Sequence, residues 1–173
     1  NGLSMHLMEV GFEEPDRPLV LLLHGFPELA YSWRNVMLPL ADAGYHVVAP
    51  DQRGYGRTTG WNSDYNGDLP SFAIGNLVRD VLGLVWALGR RHVLAVVGHD
   101  FGSPVAAYCA LMRPDVFRSV IMMSAPFAGP PPPTAMLEGI NPLCDGEAVQ
   151  SEPEVHCALA ALERPRKHYQ WYY

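Results

Sequence analysis

Short runs of apolar residues alternate along this chain with longer stretches whose apolar positions recur at helical spacing. Pro18 to Leu23 read Pro-Leu-Val-Leu-Leu-Leu, the pattern of a strand covered on both faces. Tyr45–Ala49, His92–Val97 and Phe117–Met123 are further strand candidates, and residues 3–12 alternate loosely, as an edge strand does. Trp33, Val36, Met37 and Leu40 predict a helix over residues 31–43, with Gly44 behind it as a cap. Leu77, Val78, Val81, Leu82, Val85 and Leu88 predict a second helix, closed by Gly89. Ser103–Met112 predict a third, stopped by Pro114. Residues 60–70, rich in Gly, Asn and Asp, read as a loop. Strand and helix alternate, so the expected fold class is α/β, with a mostly parallel sheet and helices on both faces.

The alternation stops near residue 126. Gly129 and the run Pro130–Pro133 read as a stiff linker. Residues 134–173 differ in composition, mixing Pro, Glu and Cys before an aromatic end. We therefore expect a core over residues 1–128 and a linker with a second segment over 129–173. No internal repeat is present.

Composition narrows the function classes. At 173 residues the chain can bury one real core. Its formal net charge of −6, with no run of Lys or Arg, argues against a nucleic-acid partner. No apolar stretch approaches membrane-spanning length, and no secretory leader is recognisable, so no membrane partner is expected. Cys109, Cys144 and Cys157 are odd in number and lack CxxC spacing. That argues against a disulfide framework or zinc site and favours a reducing, cytoplasmic compartment. No metal or cofactor is expected.

The strongest chemical motif is Gly98-His99-Asp100-Phe101-Gly102, between a strand and a helix. This is the context of a nucleophile elbow. The glycines permit a tight turn, and the central residue projects above the C-terminal edge of the sheet, where open α/β sheets bind ligands. Here the central residue is aspartate. A carboxylate is ionised near neutral pH and attacks a saturated carbon bearing a leaving group, giving an ester on the protein. The competing reading is an N-cap, a common place for Asp. The letters His-Asp-Phe-Gly also occur in kinases, but no Gly-rich phosphate loop or strand lysine accompanies them.

Two other segments follow strands. His24-Gly25-Phe26-Pro27 could carry backbone donors for the oxyanion of ester hydrolysis, with the Phe26 and Phe101 amides as the expected pair. Read alone, it is a plain strand-end turn. Asp51-Gln52-Arg53-Gly54-Tyr55-Gly56 lacks the third glycine and the lysine of nucleotide loops, and is expected to pack beside the elbow.

Taken in order over residues 3–126, these motifs resemble the α/β-hydrolase superfamily, in the branch of epoxide hydrolases and haloalkane dehalogenases. The resemblance implies that Asp100 opens an epoxide and that the ester is then hydrolysed to a diol. It implies a cis peptide before Pro27, and a helical cap beginning in residues 134–173. His168-Tyr169-Gln170-Trp171-Tyr172-Tyr173 resembles the cap motif of soluble epoxide hydrolases, making Tyr169 the donor to the epoxide oxygen. A neutral phenol suits that task; an aromatic cap contact is the simpler reading. The implied substrate is a small apolar epoxide.

Two alternatives stand beside this one. Haloalkane and haloacid dehalogenases use the same aspartyl ester, but commonly carry Trp or Arg after the nucleophile, where this chain has Phe101. Some α/β-hydrolase folds only bind a ligand. Hydrolysing the ester also needs a base, usually His oriented by a carboxylate. In this family both follow the cap, so the acid, the His and a second cap tyrosine are expected from a C-terminal remainder that packs against this chain.

Overall fold

A computed structural model describes residues 1–64, 69–125, 127, 129 and 160–163. The chain forms two compact units, one of Asn1–Trp61 with Pro70–Phe127, the other of Asn62–Leu69 with Ala128–Tyr173. The first carries the elements described below.

Five strands, β1 (Leu7–Val10), β2 (Leu19–Leu23), β3 (His46–Pro50), β4 (Ala95–His99) and β5 (Val120–Met123), form one sheet in the order β1-β3-β2-β4-β5. Only β1 runs antiparallel. The apolar run of β2 is central, and all five of its residues are buried. Side chains alternate across a strand, and β2 divides accordingly. Leu19, Leu21 and Leu23 pack with residues of α2 (Ile74–Ala87) and α3 (Gly102–Met112) on one face. Val20 and Leu22 pack with Met37 of α1 (Arg34–Asp42) on the other. Helices therefore cover both faces, as expected.

Several boundaries differ from the sequence reading. The first helix opens as a 3-10 turn at Ala30–Trp33, and Val36 faces solvent while Met37 is buried. Adjacent residues on a helix point about 100° apart, and here the turn of α1 puts Met37 on the sheet and Val36 outside it. β4 begins at Ala95 rather than His92 and runs on through Gly98 and His99, while Val93 makes only an isolated bridge to Phe117. The elbow is thus a continuation of the strand. Cys109 is fully buried, and that burial pushes its thiol pKa up to about 12. No helix among the described residues is long and apolar enough to cross a membrane.

Beyond β4 the sheet changes character. Val120, Ile121, Met122 and Met123 of β5 are all exposed, and β5 is the last strand among the described residues. An apolar strand with an open edge is one that folded proteins normally cover.

Candidate active site

Parallel strands β2, β3 and β4 all end on one side of the sheet, and a polar segment follows each. Asp100 comes directly after β4 and has φ +50°, a left-handed conformation rare for a residue with a side chain. Such strain persists only where the surroundings impose it. They do so here from several sides. The Asp100 N–H donates to the Met123 carbonyl at 2.9 Å, and the Ser103 N–H donates to the Asp100 carbonyl at 2.9 Å. The buried Ser103 hydroxyl lies 2.8 Å from the Gly98 carbonyl and 2.9 Å from that of Met123, and accepts the Met123 N–H at 3.1 Å. A Cβ on Gly98 would lie 2.1 Å from the Gly102 carbonyl oxygen, and one on Gly102 2.3 Å from that of Leu23. Strand and helix meet too closely for any other residue at these two positions.

The carboxylate of Asp100 does not cap α3. The N-cap position is Phe101, and no side chain caps it. Instead the Phe26 N–H donates to Asp100 Oδ1 at 2.8 Å. The loop after β2 therefore meets the elbow at the Asp100 carboxylate. Gly25 makes this approach possible, since a Cβ there would sit 2.4 Å from the Asp100 Cβ. The Phe26–Pro27 bond is cis. Phe101 lies immediately after Asp100, at the start of α3.

His24 is fully buried beneath this loop. Its Nε2 lies 3.0 Å from the Gln52 backbone N–H, and its Nδ1 lies 2.9 Å from the Gly25 carbonyl. The Gln52 side-chain amide donates to the His24 carbonyl at 2.5 Å. The edge of the ring meets Tyr55 at 4.9 Å. Burial lowers the pKa of His24, against smaller opposing effects of the Gly25 hydrogen bond and of Asp51 and Glu28. The ring is neutral near physiological pH.

Asp51, directly after β3, is buried and fully engaged. Its Oδ1 accepts the Ala30 N–H at 2.9 Å, and its Oδ2 accepts the Arg57 N–H at 3.0 Å and faces His6 Nδ1 at 2.9 Å. Burial pushes its pKa up, but these three hydrogen bonds outweigh it and leave the carboxyl below its ordinary value. Two residues on, Arg53 pairs with the buried Asp80 of α2 at 2.7 Å. The segment 51–58 packs beside the loop after β2, because β3 neighbours β2.

These placements decide the family. The sequence matches the alpha/beta hydrolase fold over residues 18–141, and the sheet order and the strand–turn–helix at Gly98–Gly102 accompany that match. The chain belongs to the alpha/beta hydrolase fold family. Among the relatives of this chain, epoxide hydrolase 3 of Siraitia grosvenorii is 41% identical over 141 residues, covering 82% of this chain and 42% of that protein. Epoxide hydrolase B of Mycobacterium tuberculosis is 44% identical over 128 residues, covering 74% and 34%. The solved structure of potato epoxide hydrolase I superposes with a TM-score of 0.67 at 42% identity, covering 80% of this chain and 43% of that one. The chain spans between about a third and about two fifths of the length of these relatives.

Of the residues singled out in the sequence, the fold brings together His24, Gly25, Phe26, Pro27, Gly98, His99, Asp100, Phe101 and Gly102. Tyr169 and its neighbours lie outside the described residues. Two participants had escaped the sequence reading. Gln52 grips both ends of His24, as above. Glu28 Oε2 lies 3.0 Å from His99 Nδ1 and 3.4 Å from the Gly25 N–H, tying the elbow to the loop after β2. The only signal for Glu28 was its place directly behind the His-Gly-Phe-Pro motif.

Neither His6 nor His46 is placed to serve Asp100 as a base. His6 has a carboxylate partner in Asp51, but β1 lies three strands from β4, about 14 Å at the usual strand spacing. His46 pairs with Glu9 at the start of β3, at the opposite end of the sheet. No cluster of His, Cys, Asp and Glu suited to a metal occurs among the described residues.

Proposed function

We propose that this chain carries the nucleophilic half of an epoxide hydrolase. The observation that supports it best is the Asp100 carboxylate, held at φ +50° with Oδ1 on the Phe26 N–H at 2.8 Å. The held oxygen becomes the ester carbonyl and later the oxyanion, while the other oxygen attacks. In the first step an Asp100 oxygen bonds to an epoxide carbon as that carbon's ring C–O bond breaks. The released oxygen takes a proton from a phenol, which we assign to Tyr169. In the second step water attacks the Asp100 carboxyl carbon. The Phe26 and Phe101 amides stabilise the resulting oxyanion, and collapse gives back the carboxylate and releases a diol. The net change is epoxide plus water to diol, with no cofactor.

Water attack needs a base and an acid to orient it. We assign both to the part of its relatives' length that this chain does not span. That remainder would also cover β5, whose four exposed apolar residues need a neighbour. Residues 1–128 are then the N-terminal part of the core, and 129–173 the linker and first part of a cap. We assign the protein to a reducing, cytoplasmic compartment on the strength of its cysteine pattern.

Epoxide is favoured over halide because Phe101 follows the nucleophile and the relatives are named epoxide hydrolases. Full-length protein offered small apolar epoxides and haloalkanes in parallel should form diol from the former. Halide release without diol would reverse the assignment, and binding without either product would point to a ligand-binding fold.

A further inference from the structure

A single hydrogen-bond chain runs from the segment after β3 to the Asp100 carboxylate. The Gln52 backbone N–H can only donate, so His24 Nε2, 3.0 Å away, must accept. A neutral imidazole that accepts at Nε2 carries its proton on Nδ1. That N–H points at the Gly25 carbonyl, which can only accept, at 2.9 Å. The Gly25 carbonyl and the Phe26 N–H belong to one peptide unit. The only cis bond among the described residues is Phe26–Pro27, so this unit is trans, and its C=O and N–H point in opposite directions. A grip on the carbonyl therefore aims the N–H, which lies 2.8 Å from Asp100 Oδ1. The second Gln52 bond, from its side chain to the His24 carbonyl, holds the same residue from the other end.

We infer that His24 is a positioning residue for the oxyanion hole: locked by Gln52 as the Nδ1–H tautomer, it orients the Gly25–Phe26 peptide so that the Phe26 amide faces the Asp100 carboxylate. It touches neither substrate nor the reacting atoms. The inference rests on the reading of Asp100 as the nucleophile for its catalytic consequence, but not for the tautomer itself.

Side-chain amides separate this role from simple core packing. In His24→Asn an amide N–H replaces Nδ1–H towards the Gly25 carbonyl. In His24→Gln an amide oxygen replaces Nε2 towards Gln52, and the donor to Gly25 is lost. Both variants lose one buried hydrogen bond and similar volume. In full-length protein, acid-quenched single turnovers of an epoxide give the rates of ester formation and ester breakdown. His24→Gln should slow ester breakdown by about 100-fold, the usual effect of losing one oxyanion donor. His24→Asn should recover most of that loss. Nitrogen-15 spectra of histidine-labelled wild-type protein, with His24 assigned by its disappearance in the Asn variant, should show the proton on Nδ1. A proton on Nε2 overturns the inference, as does an equal slowing in the two variants. An Asp100→Ala protein that still forms diol would instead remove the nucleophile reading and leave the tautomer result standing.

Discussion

Asp51 and Asp100 occupy matching places and are held in opposite ways. Each directly follows a parallel strand, and each takes a backbone N–H from the loop after β2 on its Oδ1, from Ala30 for Asp51 and from Phe26 for Asp100. Asp51 then adds Arg57 N–H and His6 and is 3% exposed, so neither of its oxygens is spare. Asp100 is only partly buried and sits at φ +50° on a turn that costs stability. A saturated carboxylate on a relaxed backbone holds a fold together. A sparsely held one on a strained backbone is available to react. The pair shows that an aspartate at a strand end has no fixed meaning until its acceptor sites are counted.

Glycine at position 100 separates the two roles most sharply. Asp100→Gly removes the reacting oxygens, and the full-length protein should lose on the order of 10⁴-fold or more in epoxide turnover. The same change relieves the positive φ and should stabilise the fold by about 1 kcal/mol, read from denaturant midpoints. A loss of stability instead would mean that the carboxylate is structural, as Asp51's is.

Asp51→Ala should behave in reverse. It leaves the Ala30 and Arg57 amides and the His6 ring without their acceptor, at a cost of about 3 kcal/mol. Protein that remains folded at low temperature should keep ester formation within about 10-fold of wild type, since Asp100 is untouched. Complete loss of ester in well-folded protein would give Asp51 a chemical role and erase the contrast.

Acid should act more gently, and through the same segment. Burial lowers the pKa of His24, so as pH falls the unfolded chain takes up a proton before the folded one does. The stability contributed by the neutral ring is complete above its ordinary value of 6.5 and is lost as pH falls below that through the lower folded value. Asp51 works in the same direction further down, from its ordinary value of 3.8 to its depressed one. Denaturant midpoints should therefore fall between about pH 7.5 and about pH 5, and His24→Asn should flatten that slope. A slope unchanged in the variant would assign the effect elsewhere.

The architecture was legible because burial on two faces leaves a plain mark. Leu19–Leu23 could be little else than a central strand, and the Gly98-to-Gly102 elbow is demanded by contacts of 2.1 and 2.3 Å that a Cβ would make. Neighbours across the sheet left no such mark. Sequence spacing does not reveal that β2 lies between β3 and β4, and so did not show that the 51–58 segment packs on the loop holding His24. The partners Gln52 and Glu28 were hidden for the same reason: each acts on a residue whose distance from it is set by strand order. Val36 misled in a different way: it belongs to the same periodic run as Met37, yet lies outside the buried face of α1.

The account turns on which oxygen water supplies. Full-length protein in heavy-oxygen water should be given less than one equivalent of epoxide, digested, and weighed peptide by peptide. If Asp100 forms the ester and water attacks its carboxyl carbon, the heavy oxygen appears in the Asp100 carboxylate and the first diol released is unlabelled. A labelled diol with an unlabelled Asp100 peptide would mean that water opened the ring directly, and that Asp100 never bonded to the substrate.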